Sequence, residues 1–427
     1  MTPGGRLAAT IEVLADVETR HRPVAEALKD WGVSHRFAGS KDRAAIGNIA
    51  YDALRWRLSS AWAMGEDTPR ALVLGTAGRR WGLGSAGLAE AMAGGTHGPA
   101  PLTTAESVLI DLADLAAAPP HVRADIPEWL GPRFERSFGD DWVAEGEALA
   151  LRPPLDLRVN RLKADREKVA KALAQFGVGA TPFAPEGLRI APTEKDGRHP
   201  NVQVEPGFQK GWFEIQDEGS QLAAMMVAAK PGEQILDLCA GSGGKTLAIA
   251  AAMENKGQVF ATDSDRSRLA PIFDRLKRAT TRNVQVRPAG ASLDDLDGRM
   301  DAVLLDVPCT GTGVWRRRPD AKWRLSERAL NERIADQKRL LDQGARYLKP
   351  GGRLVYVTCS LLPDENGEQL AAFIERTPGF SAAAPVDLAV SAVPALAEAA
   401  HFGKYGLMLT PRRTGTDGFF IGALKKE

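Results

Sequence analysis

From Leu7 to about Leu112, apolar residues recur every third or fourth position. The clearest run is "SKDRAAIGNIAYDALRWRLSSAW", where Ile46, Ile49, Ala53 and Leu54 share one helical face and Ser40 is placed to cap the start. This stretch predicts an all-α domain. Two breaks rich in Gly, Pro and Ala, "AGGTHGPAPLTT" and "LAAAPPHV", follow the helical pattern, and the second reads as a linker. The period then changes. "LDLRVN", a helical stretch from about Ala164 to Phe176 and a return near Leu188 read as strand, helix and strand of a small α+β unit carrying Arg158, Arg161 and Lys163. After "GWFEIQDEGSQLAAMMV", the apolar runs "QILDLC", "QVFATD", "NVQVRP", "DAVLLD" and "RLVYVTC" alternate with helical segments such as "SRLAPIFDRLKRA" and "ADQKRLLDQGARYL". Uninterrupted apolar strands separated by helices predict a doubly wound α/β sheet, buried on both faces. The expected division is therefore 1–125 all-α, 126–205 small α+β and 206–427 α/β, consistent with ~150 residues per domain in a chain of 427.

Composition adds little to this picture. Hydrophobic residues at 44% and charged residues at 26% are those of a chain able to bury substantial cores. No run is apolar and uncharged for long enough to span a bilayer, and the N-terminus lacks a signal-peptide core, so a cytoplasmic location without a membrane partner is expected. Three cysteines cannot complete a disulfide framework, and Cys239, Cys309 and Cys359 match no zinc spacing, so no metal is expected. The net charge of +1 decides nothing, but its distribution is uneven. Between Thr312 and Arg346 there are ten Lys or Arg against five Asp or Glu, with Arg316, Arg317 and Arg318 adjacent. These three arginines are candidates for an RNA backbone, and a solvated face is the plainer alternative.

Ligands of doubly wound sheets bind at the carboxyl ends of the strands, and all three cysteines fall at or just beyond such ends. The loop "LDLCAGSGGKT" follows the first strand. A Walker A loop would need glycine at the position held by Cys239, and Gly241, Gly243 and Gly244 crowd together where a dinucleotide fingerprint spreads its glycines. The alternative is a nucleoside cofactor approached closely by small residues, with Asp263 at the next strand end accepting from ribose hydroxyls. S-adenosylmethionine is favoured over NAD on this spacing.

The thiols fit one chemistry in particular. Carbon 5 of cytosine is too weak a nucleophile to take a sulfonium methyl unless a thiolate first adds to carbon 6, and the thiol must later leave. Asp306, at the strand end in "LLDVPC", is placed to hydrogen-bond the polar edge of the base, and Pro308 stiffens the loop that presents Cys309. If the strands ending at Asp306 and Cys359 are neighbours, both thiols face one pocket.

The blocks "FEIQDEGSQLAA", "DLCAGSGGKT", "DVPCTGTGVWRRRPDAKW", "YVTCSLLPDENGE" and "GTDGFFIGAL" stand in order over about residues 152 to 427. They resemble the bacterial rRNA cytosine-C5 methyltransferases called Sun, Fmu or RsmB-like, relatives of the eukaryotic NSUN enzymes. "FAGSKDRAAIGNIAYDALRWR" resembles the NusB-like RNA-binding domain of the same enzymes. The resemblance implies a class I, Rossmann-like methyltransferase domain preceded by a NusB-like all-α domain and a small α+β domain. It implies that Cys359 is the nucleophile, that Cys309 assists product release, and that Asp306 lies near the target base. It also implies that Cys239, Ala240, Gly241, Ser242, Gly243, Gly244, Lys245, Asp263 and Asp306 lie at the S-adenosylmethionine site, with Lys245 facing RNA as well. The implied activity is that of a monomeric RNA (cytosine-5-)-methyltransferase acting on 16S rRNA. A tRNA methyltransferase and a non-catalytic RNA-binding ribosome-assembly factor are the alternatives. Two positions depart from the family pattern: Gly241-Ser242 replaces the usual Ala-Pro, and Ala289 and Gly290 stand where an aspartate often contacts adenine.

Overall fold

The computed structural model describes residues 1–93 and 97–427, in two compact units. The start of the first Gly and Pro-rich break, residues 94–96, lies outside the described residues. One unit comprises Met1–Arg152, Thr193–His199 and Trp315–Leu325, and it is helical. Its long helices Pro3–Arg20 and Ser40–Arg55 bury Leu7, Val13, Leu14, Ile46, Ile49 and Leu54 in a common core. Thr2 caps the first of them by accepting from the Gly5 amide, and Pro3 fills a position where no amide donor is needed. Ser40 is not the cap of the second. It is the first helical residue, preceded by Gly39, whose lack of a side chain leaves no cap hydrogen bond.

The expected linker 115–122 has structure of its own. It folds as a single turn, Leu115–Ala117, and the start of a short helix, Pro120–Arg123, and Val122 is buried within the helical unit. Residues 126–152 group with the same unit, through the helices Gly131–Phe138 and Trp142–Leu149.

The segment Trp315–Leu325 is far in sequence from these helices and is nevertheless anchored among them. Lys322 Nζ donates to the Arg55 carbonyl at 3.1 Å, Trp323 Nε1 donates to the Leu54 carbonyl at 2.7 Å, and Trp315 stacks on Phe134 at 5.9 Å. Arg316 is carried inside with them and keeps only 4% of its surface.

The second unit holds two sheets. The smaller is antiparallel, ordered β2-β3-β1-β4 from β1 (Leu155–Val159), β2 (Gly179–Ala180), β3 (Gly187–Ile190) and β4 (Phe213–Ile215). Its helix runs over Arg166–Ala172, starting on the Asp165 cap, and a separate turn covers Ala174–Phe176. The fourth strand lies beyond residue 205, so this sheet is completed by a segment read from sequence as part of the next domain.

The larger sheet contains β5 (Gln234–Asp237), β6 (Gln258–Ala261), β7 (Val284–Val286), β8 (Met300–Asp306), β9 (Leu348–Thr358), β10 (Phe380–Ala382), β11 (His401–Phe402), β12 (Leu407–Leu409) and β13 (Phe419–Lys426). The order is β11-β12-β13-β9-β8-β5-β6-β7, with β10 on β13. The five strands β5 to β9 are parallel, as their unbroken apolar runs predict, and the closing strands are antiparallel. This is the Rossmann-like methyltransferase order. The sequence passes from β5 outward to β7 and then returns to β8 on the other side of β5, so a crevice opens at the carboxyl ends of β5 and β8. Among the described residues, no helix is long and apolar enough to cross a membrane.

Candidate active site

The turn after β5 is shaped by its glycines. Gly243 has a φ of 84° and precedes the helix Gly244–Ala252, and a Cβ there would stand 2.5 Å from Ile272 Cγ1. Only glycine meets both demands. Asp263, just after β6, fixes the same turn: its Oδ2 accepts the Gly241 amide at 2.9 Å and its Oδ1 accepts the Asp265 amide at 2.9 Å. Each oxygen keeps a lone pair for another donor. A cavity of about 550 Å³ opens here, lined among others by Cys239, Asp263, Gly290, Pro308, Asp336 and Gln343. That volume is in the range of small-molecule sites, roughly 300 to 1,000 Å³.

Below the cavity the polar groups are paired. Lys245, 7% exposed, donates to Asp306 Oδ2 at 2.7 Å and lies over the Phe419 ring at 5.2 Å. Asp237, buried beneath the loop, accepts the Thr246 hydroxyl at 2.7 Å, and burial pushes its carboxyl up to about 7. Burial and the neighbouring Asp237, Asp306 and Asp263 carboxylates push the Cys239 thiol well above its ordinary range, which disfavours it as a nucleophile.

The other two cysteines meet. β8 and β9 are parallel neighbours with Asp306 opposite Val357, so the loops leaving them run side by side. Cys309 Sγ and Cys359 Sγ lie 3.2 Å apart. The Cys359 carbonyl accepts the Gly313 amide at 2.9 Å, and the Gly313 carbonyl accepts the Gly418 amide at 2.8 Å, tying three segments together behind the thiols. Thr312 and Ser360 hydroxyls, 3.2 Å apart, bond across the same two loops.

Of the cofactor residues expected from sequence, Cys239 and Asp263 line the cavity, whereas Ala240 to Lys245 and Asp306 do not. Asp306 belongs with Lys245 and the sheet end. Arg316, expected on an RNA backbone together with Arg317 and Arg318, is buried in the helical unit; Arg318 is exposed. Sequence reasoning missed the residues that brace the glycine loop from other elements. Arg158 on β1 donates to the Gly244 carbonyl at 2.7 Å and to Gln216 Oε1 at 2.6 Å, and Arg275 donates to the Ser242 carbonyl and hydroxyl at 3.0 and 2.8 Å. Burial lowers the Arg158 guanidinium to about 10. The polar residues Asp336 and Gln343 of the helix Glu327–Tyr347 were missed too, although they line the cavity where the loop after β7 offers Gly290, Ala291 and Leu293 and no carboxylate.

A family model described as 16S rRNA methyltransferase RsmB/F matches residues 224–425, and one described as an RsmF/B-like ferredoxin-like domain matches residues 126–194. The ribosomal RNA small subunit methyltransferase B of Citrobacter koseri is 37% identical over 305 residues, which cover 70% of this chain and 66% of that relative. The chain belongs to the RsmB/F methyltransferase family. It spans slightly under two thirds of the curated relative's length. A crystal structure of a protein named PH0851 is similar over 100% of this chain and 99% of its own, at 26% identity and a TM-score of 0.71. A methyltransferase homolog protein from Pyrococcus horikoshii is similar over 74% of this chain and 100% of its own, at 26% identity and a TM-score of 0.59. The RsmB/F match at 224–425 falls on the larger sheet, and the ferredoxin-like match at 126–194 takes in the helices Gly131–Phe138 and Trp142–Leu149 together with β1 to β3 of the smaller sheet.

Proposed function

We propose that this RsmB/F family member is an S-adenosylmethionine-dependent RNA cytosine-C5 methyltransferase whose substrate is 16S rRNA. The observation that carries the reading is the pair of thiols 3.2 Å apart at the ends of adjacent strands, in a chain whose family match is to 16S rRNA methyltransferases. Cys359 adds to carbon 6 of the target cytosine, Asp306 and Lys245 hold the polar edge of the base, and Cys309 serves elimination. Lys245 is buried against Asp306, which suits contact with the base better than with the RNA backbone.

The cavity at the β5 and β6 ends fits the methyl donor. It is of suitable size, and the Asp263 carboxylate on its wall has acceptor capacity left for ribose hydroxyls. Asp336 and Gln343 are the polar groups available for adenine where the family aspartate is absent. S-adenosylmethionine, when bound, supplies an electrophilic methyl group. Loss of a charge-assisted hydrogen bond costs roughly 1.5 to 3 kcal/mol, so Asp263→Ala weakens cofactor binding by about 10 to 150-fold. Calorimetry giving wild-type affinity for this variant would remove Asp263 from the site.

For the RNA backbone the candidates are Arg317 and Arg318, since Arg316 keeps only 4% of its surface. Replacing both with alanine weakens RNA binding and flattens its salt dependence at unchanged cofactor affinity. An unchanged salt slope would assign them to a solvated face.

Bisulfite sequencing of rRNA and tRNA from cells with and without the gene tests the whole reading. A 16S rRNA cytosine protected only when the gene is present supports it. Protection confined to tRNA would favour the tRNA alternative, and no gene-dependent site at all would favour a non-catalytic assembly factor.

A further inference from the structure

Glu365 ends the short turn Pro363–Glu365 that follows the Cys359 block, and its side chain is fully buried. Its Oε1 accepts the Thr310 amide at 2.9 Å and Gln337 Nε2 at 2.9 Å, and its Oε2 accepts the Thr310 hydroxyl. Gln337 Nε2 also donates to the Pro308 carbonyl at 3.0 Å. The residues on either side of Cys309 are thus held by one buried carboxylate and the amide bonded to it. Burial raises the Glu365 carboxyl above its ordinary range, and the hydrogen bonds it receives from Ser360, Thr310 and Gln337 act the other way, toward the charged form.

A buried carboxylate beside a thiol disfavours negative charge on that sulfur. The effect matters here because two sulfurs 3.2 Å apart share a proton once the pair has lost its first. We propose that Glu365 is the positioning residue that keeps this proton on Cys309, leaving Cys359 as the sulfur that attacks. Of the two thiol protons, one leaves to solvent and the other stays on Cys309 Sγ; no carbon–sulfur bond forms at this stage. The inference rests on the assignment of Cys359 as nucleophile made above, and it supplies a reason for that assignment: the acidic group is bonded to the Cys309 loop.

Two further observations agree. The Cys309 thiol is pushed well above its ordinary range by its hydrogen bond to Cys359, by burial, and by negative charge on Cys359 and Glu365. Tyr356, whose hydroxyl donates to the Glu365 carbonyl at 2.7 Å, is held up by burial and by the same carboxylate, so it brings no charge of its own.

The test is alkylation of the intact protein by iodoacetamide across neutral to alkaline pH, read at the Cys309 peptide by mass spectrometry. In wild type, Cys309 reaches half-maximal labelling rate above the ~8.5 of a free thiol. Glu365→Gln keeps an acceptor but removes the charge, and its profile moves down by roughly one pH unit, with about tenfold faster labelling below the midpoint. Glu365→Asp keeps the charge and stays with wild type. A purely structural clamp would be disturbed by both variants alike, so Gln and Asp profiles that move together overturn the proposal. Wild-type Cys309 labelling like a free thiol overturns it as well, and that result is available even if Glu365→Gln fails to fold. The measurement uses neither RNA nor methyl donor. A wild-type protein lacking cytosine-C5 activity would therefore sink the function while leaving this result standing.

Discussion

Cys359→Ala lowers methyl transfer to RNA by about 10⁴-fold or more, the scale on which removal of a covalent nucleophile acts, while fold and cofactor affinity stay at wild type. The reason is chemical: without a thiolate to add at carbon 6, carbon 5 has no electron density to offer. The neighbouring thiol does not substitute, because Cys309 is flanked by the Glu365 and Gln337 clamp and its charged form is disfavoured. Residual transfer within tenfold of wild type would remove Cys359 from the nucleophile's place. Loss of cofactor binding in both Cys359→Ala and Cys309→Ala would point instead to two packed core cysteines.

Gly313→Ala is expected to be damaging as well, though less so, for a steric reason. A Cβ on Gly313 would stand 2.2 Å from the Gly418 carbonyl oxygen and 2.7 Å from its Cα, and backbone cannot rotate away as a side chain can. The same residue bonds the Cys359 carbonyl through its amide and the Gly418 amide through its carbonyl, so the displacement passes directly to the nucleophile. Overpacking of this kind costs about 1 to 3 kcal/mol in stability. The catalytic loss is larger, around 100-fold, since that is the usual consequence of a misplacement near 1 Å. Thermal melts and single-turnover kinetics read both effects. Wild-type values for both would show that the three segments behind the thiols adjust freely.

The parts of this molecule that sequence reveals are those in which the chemistry is local. The glycine loop 239–245, Asp263 and the two thiols each sit at the end of an apolar strand run, and one topological rule places such ends at a common crevice. The adjacency of Cys309 and Cys359 needed only the expectation that β8 and β9 pair, which they do. What sequence hid is tertiary. Three adjacent arginines look like a basic patch, and nothing local reveals that Trp315, Lys322 and Trp323 pull the first of them into a helical core more than 150 residues earlier in the chain. The bracing of the glycine loop by Arg158 likewise joins residues 86 positions apart, and a strand arginine carries no sign of its partner. The expected linker is a related case: Ala and Pro mark a break in helical pattern, and sequence gives no sign that Val122 and Leu130 nearby are buried. Glu365 lies inside a recognisable block and shows no role in the sequence, because an acidic residue in a polar stretch reads as solvated until its donors are seen.

The central claim is that methyl transfer proceeds through a bond between Cys359 and the target cytosine. Its most direct test is incubation of Cys309→Ala with RNA and S-adenosylmethionine, followed by denaturing electrophoresis and mapping of the RNA-linked peptide. The account predicts an adduct that survives denaturation, accumulates because elimination is impaired, and maps to the peptide containing Cys359. An adduct found instead in Cys359→Ala and mapped to Cys309, with none in Cys309→Ala, would reverse the two roles and contradict it.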